Sequence, residues 1–233
     1  MKKKLTLKAA YMGIILLTLT LTSLGSRVVV VFSQSLPPER KHCFIIDPGH
    51  GGIDGGATSC TGKLESGFNL EIGLRLRDLL QFMGYRTKMT RTEDVSIYTG
   101  GDTIAQKKLS DLKERVRICN ETDGAILLSI HQNTFSDSKY FGPQVFFADN
   151  EESKALAGYL QKSLDPTGKR GTKRAEGIYL MEHITCPGAL IECGFISNPQ
   201  EEAKLRSAEY QKELCCRIAA SSVEYVSKSS EKS

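Results

Sequence analysis

Residues 43–56 read Cys43-Phe-Ile-Ile-Asp47-Pro-Gly-His50-Gly-Gly-Ile-Asp54-Gly-Gly56. An apolar run ends abruptly at Asp47-Pro48, which predicts a short buried strand bounded by a turn. Five of the next eight residues are glycine. They free the backbone to turn tightly, and they carry His50 in their midst. The stretch therefore predicts an imidazole just beyond a strand end, over a pocket. The glycines are expected to leave room for a bulky ligand, so that a side chain added at Gly52 would obstruct it.

Working outward, Glu65–Met83 has helical apolar spacing and a stop signal at Gly84. Tyr85–Thr90 reads as a strand, Thr92–Lys108 as a polar loop and Leu109–Asn120 as a helix. Gly124–Ile130 is a wholly apolar strand running into His131-Gln132-Asn133. Beyond it come a strand at Gln144–Ala148, a helix at Glu151–Leu164 and a basic loop at Asp165–Ala175. Strands at Gly177–Met181 and Pro187–Cys193 follow, then helices from Pro199 to about Val226. This alternation predicts a single α/β domain with a mostly parallel sheet of about six strands flanked by helices. In such sheets, sites form at the carboxyl ends of the strands.

The chain ends divide off from this domain. Residues 1–35 combine a basic start (Met1–Lys8) with an apolar run (Ala9–Gly25), and read as a signal peptide or N-terminal membrane anchor. Residues 36–42 read as a linker, 43–226 as the domain and 227–233 as a flexible tail. The domain is expected to be exported across the cytoplasmic membrane, to the cell envelope or beyond. The net charge of +4 is inflated by the leader, and the one other basic stretch is Lys169–Arg174, so nucleic-acid binding is not expected. Seven cysteines occur without a CxxC pair, which argues against a zinc–thiolate site and for free, buried thiols.

Three strands bring a functional group to their carboxyl ends: His50, His131 and Glu192. Two imidazoles and one carboxylate form a catalytic zinc set that leaves a fourth position for water. Glu65, at the start of the first helix, can supply the carboxylate, with Glu71 and Asp54 as rivals. Glu192 is then free as general base. Asp47 and Asn133 are candidates for orienting an imidazole, and Arg91 for a structural or substrate contact. Cys193 follows Glu192, but strand alternation turns the two to opposite faces.

Several stretches in order resemble the zinc-dependent N-acetylmuramoyl-L-alanine amidases of the Amidase_3 type. They are Asp47–Gly52, Glu65 ahead of Asn69-Leu70, Thr90-Arg91-Thr92, Leu112–Arg117, Ser129–Asn133 and Pro187–Asn198. The resemblance implies that His50, Glu65 and His131 bind one Zn2+ and that Glu192 is the catalytic carboxylate. The substrate it implies is peptidoglycan, cut between N-acetylmuramic acid and the L-alanine of the stem peptide. A lone catalytic domain and Ala189–Asn198 are further similar to the germination-specific CwlD group of endospore formers. That group implies a role in spore-cortex maturation, with a peptidoglycan deacetylase acting in the same pathway to form muramic-δ-lactam. Gln132 stands where the family usually has alanine, and is expected beside the zinc, within reach of substrate. Glu182 stands where a basic residue is common. With no polymer-binding module in view, an envelope accessory or activator protein is expected. Two other readings stand beside this one: a non-catalytic wall-binding protein, and a zinc carboxypeptidase acting on wall peptides.

Overall fold

A computed structural model describes residues 41–230; residues 1–40, with the expected leader and most of the expected linker, and residues 231–233 lie outside it. Six strands form one sheet, in the order β2-β1-β3-β6-β4-β5. They are β1 (Cys43–Pro48), β2 (Arg86–Met89), β3 (Ala125–Asn133), β4 (Gln144–Phe147), β5 (Lys173–Arg174) and β6 (Gly188–Phe195). β2, β1, β3 and β6 run parallel. β4 is antiparallel to β6 and carries β5 alongside it. The helices are α1 (Glu65–Phe82), α2 (Ile104–Asn120), α3 (Glu151–Leu164), α4 (Tyr179–His183), α5 (Pro199–Leu205) and α6 (Ala208–Ser230). The expected α/β architecture is thus present.

Alternation along the strands decides what faces what. Phe44, Ile46, Ile126, Leu128, Ile130, Ala189, Ile191 and Cys193 enter the larger core with α1, α3 and α6. Cys43, Ile45, Ala125, Leu127 and Leu190 turn the other way, towards α2 and α4. Continuing the second set towards the carboxyl ends gives Asp47, Ser129, His131 and Glu192. The helices cover the rest of both faces, so this polar set sits at the edge where β1, β3 and β6 emerge together.

Several boundaries differ from those expected. α2 begins at Ile104, because Thr103 and Gln106 form a reciprocal capping box. The expected strand at Gly177–Met181 is instead a left-handed glycine followed by α4, while Lys173–Arg174, within the expected loop, pairs with β4. A short apolar run carries too little periodicity to separate strand from helix. α6 continues through Ser230, so most of the expected tail is helical.

Candidate metal centre

His50 has φ of 62°, a left-handed backbone that non-glycine residues rarely adopt. The surroundings hold it there. Gly51 and Asp54 exchange backbone hydrogen bonds across the turn, and Arg115 donates from Nη2 to the His50 carbonyl at 2.8 Å. Arg115 is buried on α2, and also donates to Asp47 at 2.5 Å and to Asp111 at 2.6 Å. Asp47 accepts further bonds from Thr90 and Ser129, both at 2.7 Å. Burial would raise the Asp47 carboxyl, but the Arg115 charge and these hydrogen bonds hold it below its usual range. Asp47 therefore orients no imidazole; it anchors the arginine that clamps the His50 backbone. Replacing Arg115 with methionine leaves a buried carboxylate without its partner. It is expected to cost the zinc-free protein about 3 kcal/mol in urea unfolding.

The imidazoles meet over Glu65. His50 Nε2 lies 3.2 Å from Glu65 Oε2, and His131 Nδ1 lies 3.1 Å from Oε1. The two rings stand edge to face, 5.0 Å apart. Glu65 is buried at the first position of α1 and is aimed by three donors. These are Ala57 N at 3.0 Å, Gln132 N at 3.1 Å and Asn69 Nδ2 at 3.2 Å. One ligand atom from each of His50, Glu65 and His131 lies within 4.8 Å of the others, so together they can hold a metal ion. Neither rival carboxylate joins them. Glu71 bonds Gln211 on α6, and Asp54 Oδ2 lies 2.9 Å from His50 Nδ1. Asp54 is thus the group that fixes the His50 ring with Nε2 inward, a role second-layer carboxylates commonly play at metal-binding histidines. Its other oxygen accepts from Lys108 at 2.7 Å.

Glu192 pairs with His131 in the β3–β6 register and shares its face. Its Oε2 is shut off from solvent with no hydrogen-bond partner among the described residues. Burial raises its carboxyl to about 7; His131 opposes the shift and Glu65 adds to it. A half-buried carboxyl that exchanges a proton near neutrality, with one oxygen shut off and unpaired, suits general acid–base work. Cys193 is fully buried on the opposite face, as the alternation requires.

The other expected site residues lie elsewhere. Gln132 is 3% exposed and points into the larger core, where its Nε2 bonds Asn69 Oδ1 at 3.1 Å. It follows His131 in the strand, so its side chain turns to the other face of the sheet while its backbone N donates to Glu65. Asn133 lies beyond a register shift, and its carbonyl accepts from Ile196 N at 2.9 Å. Among the described residues no hydrogen bond joins its side chain to an imidazole. Arg91 is buried and donates to the carbonyls of Pro48, Gly49, Ser66 and Glu93, so it ties the glycine loop to α1. The glycines serve packing within the protein. A Cβ on Gly49 would stand 2.2 Å from the His131 ring, and one on Gly52 would stand 2.6 Å from Ser96 N.

The charges make zinc-free stability depend on pH. Burial alone would lower His50, but its hydrogen bond and charge interaction with Glu65, then Asp54, raise it to about 9 from an ordinary 6.5. The stability this adds is fully present below 6.5 and is lost as pH rises through about 9. Glu192, raised from 4.5 to about 7, takes on a buried charge across that interval and loses stability in the same direction. Glu65 is held far below the ordinary range by His131 and His50 against its burial, so its contribution is already complete. The urea midpoint of the zinc-free protein is therefore expected to peak at about pH 5 and fall towards pH 9.

Two imidazoles and a carboxylate around an ion-sized gap, with an unpaired acid beside them, define a hydrolase centre at the edge of an α/β sheet. The sequence pattern of the Amidase_3 family, N-acetylmuramoyl-L-alanine amidase, matches residues 44–222, and the chain belongs to that family of amide hydrolases. It is 37% identical over 225 residues to a germination-specific N-acetylmuramoyl-L-alanine amidase of Bacillus subtilis, across 94% of this chain and 93% of that one. The AmiA amidase of Escherichia coli is 26% identical over 233 residues, with 79% of this chain and 76% of AmiA covered. The solved structure of the CwlD amidase from Clostridioides difficile, in complex with the GerS lipoprotein, is similar at a TM-score of 0.76 and 36% identity. That match covers 80% of this chain and 98% of the other.

Proposed function

We propose that this amidase is zinc-dependent and hydrolyses the amide joining the lactyl group of N-acetylmuramic acid to the L-alanine of the stem peptide. The observation that carries the reading is the joint placement of His50 Nε2, His131 Nδ1 and Glu65 beside the unpaired Glu192 Oε2. The donor set fits zinc. Both imidazole nitrogens lie within hydrogen-bond distance of the Glu65 oxygens, and a divalent ion would take the place of the shared protons. When bound there, zinc polarises the scissile carbonyl and makes water a stronger acid. Glu192 accepts the proton that water loses as its oxygen bonds to the carbonyl carbon. It then delivers that proton to the alanine nitrogen as the C–N bond breaks. The products are a muramic-acid carboxylate and a peptide with a free N-terminal alanine. Asp54 and Arg115 keep His50 in place while this occurs.

The likeness to a germination-specific amidase supports a place in spore-cortex maturation. There, stem-peptide removal prepares muramic acid for a deacetylase and for muramic-δ-lactam formation. Such a substrate lies outside the cytoplasmic membrane, consistent with the leader-like residues 1–35. No helix among the described residues is long and apolar enough to cross a membrane. The solved complex of a CwlD amidase with a lipoprotein supports an envelope accessory partner for this chain.

Product analysis tests the reaction. Muropeptides incubated with the protein should release tripeptide or tetrapeptide with N-terminal alanine. Shortened stems still attached to muramic acid would identify a carboxypeptidase, and unchanged muropeptides a wall-binding protein. Spore muropeptides from a deletion strain test the pathway: normal δ-lactam content would exclude it.

A further inference from the structure

The sheet topology places a second feature at the reactive edge. β4 and β5 run opposite to β6, so their amino ends, with the loops that precede them, open where β6 presents Glu192. Those loops, 134–143 and 165–172, enclose a groove of about 890 Å3. Gln144, in its wall, is the register partner of Glu192, which puts the inner end of the groove about 5 Å from that backbone. Lys173 begins β5, one strand further out.

The groove is built rather than loose. Gln144 Nε2 bonds the Gly171 carbonyl at 2.7 Å, and Arg170 Nη2 reaches across to the Phe141 carbonyl at 3.0 Å. The Arg170 guanidinium also lies over the Phe195 ring, 5.3 Å from its centre. Phe141 is 58% exposed at the rim. The lining is strongly cationic. Lys169, Arg170 and Lys173 make no ion pair among the described residues, while Lys139 pairs with Asp137. Asp165, the one carboxylate in the lining, spends its oxygens on its own turn: Thr167 Oγ1 and the backbone of Thr167 and Arg170. Three cations without an ion pair, in a groove whose wall is the register partner of Glu192, ask for an anionic part of the substrate. The stem peptide beyond the scissile bond supplies one, since it ends in a free carboxylate.

We infer that this groove binds the stem peptide through its carboxylates, held by Lys169, Arg170 and Lys173, and so sets the preference for peptide-bearing substrate. The inference rests on the amidase reading and deepens it. It assigns a task to the basic stretch Lys169–Arg174.

The test compares wild type with Lys169→Glu/Lys173→Glu and with the charge-preserving Lys169→Arg/Lys173→Arg. Two substrates are used: N-acetylmuramoyl peptide with the complete stem, and N-acetylmuramoyl-L-alanine amide, which has no carboxylate beyond the scissile bond. On the complete stem, the glutamate pair should lower kcat/KM by about 10-fold, through KM. On the truncated substrate it should match wild type, and the arginine pair should match wild type on both. The wild-type preference for the complete stem should also shrink as salt screens the cations. Equal loss on both substrates, or loss on neither, overturns the inference. Should wild type cleave neither, the amidase reading fails instead. Titration of free stem peptide then decides the groove: affinity lost in the glutamate pair supports it, and no binding to wild type overturns it.

Discussion

Glu192→Gln should lower kcat on muropeptides by about 10³-fold while leaving zinc content at the wild-type level. The amide keeps the shape of the protonated acid but cannot take a proton from water or return one to the leaving nitrogen. The environment of Glu192 makes a second outcome follow. Its buried Oε2 has no partner among the described residues, and burial pushes the carboxyl up to about 7. Above that pH the wild-type protein carries a poorly solvated charge, only partly offset by His131 and His50, that glutamine removes. The zinc-free variant should therefore unfold at higher urea than wild type at pH 9, and at a similar concentration at pH 5. A catalytic loss paired with a gain in stability is expected of a residue placed for reaction rather than for folding. Lower stability at pH 9 would show instead that Glu192 holds the strand edge together.

The second large effect concerns the metal. His131→Ala removes one of three donors and leaves the buried Glu65 oxygen facing it without that partner. Zinc per chain, measured by atomic emission after gel filtration, should fall from about one to near zero. Zinc-free stability should drop by about 1–3 kcal/mol, because the buried Glu65 carboxylate loses the imidazole partner of Oε1 and keeps there only Gln132 N and Asn69 Nδ2. Turnover should vanish together with the metal. Retained zinc with lost turnover would move His131 from the ligand set to the reaction itself.

Much of this was legible in the chain. Apolar runs that stop at Asp47, at His131 and near Glu192 mark strands that end in chemistry, and a sheet of parallel strands brings such ends together. Glu65 was legible as one of three candidate carboxylates, with Glu71 and Asp54, and the family resemblance singled it out. What could not be read depends on faces and distances. Gln132 looks like a neighbour of the site because it adjoins His131 in sequence; one step along a strand reverses its direction. Asp54, expected as a rival for the metal, holds the His50 ring, while Asp47, expected to orient an imidazole, anchors Arg115 instead. The partner of Asp47 comes from Arg115, far along the chain on α2, whereas Asp54 meets His50 through a tight turn. The capping signal Thr103-Ile-Ala-Gln106 was present in the sequence and marks the true start of α2. The glycines were the subtlest case. Their number suggests space for a ligand, yet the space is filled by the His131 ring, Glu65 and the backbone at Val95 and Ser96.

One arrangement is central: His50, Glu65 and His131 as ligands to a single zinc, with Glu192 beside it unligated. A crystal structure of the zinc-loaded protein with anomalous data at the zinc edge tests this most directly. The predicted result is one peak, about 2.0–2.2 Å from His50 Nε2, His131 Nδ1 and a Glu65 oxygen, with Glu192 outside bonding distance. A peak held by Asp54 or Glu192 in place of Glu65, or none at this edge of the sheet, would contradict it.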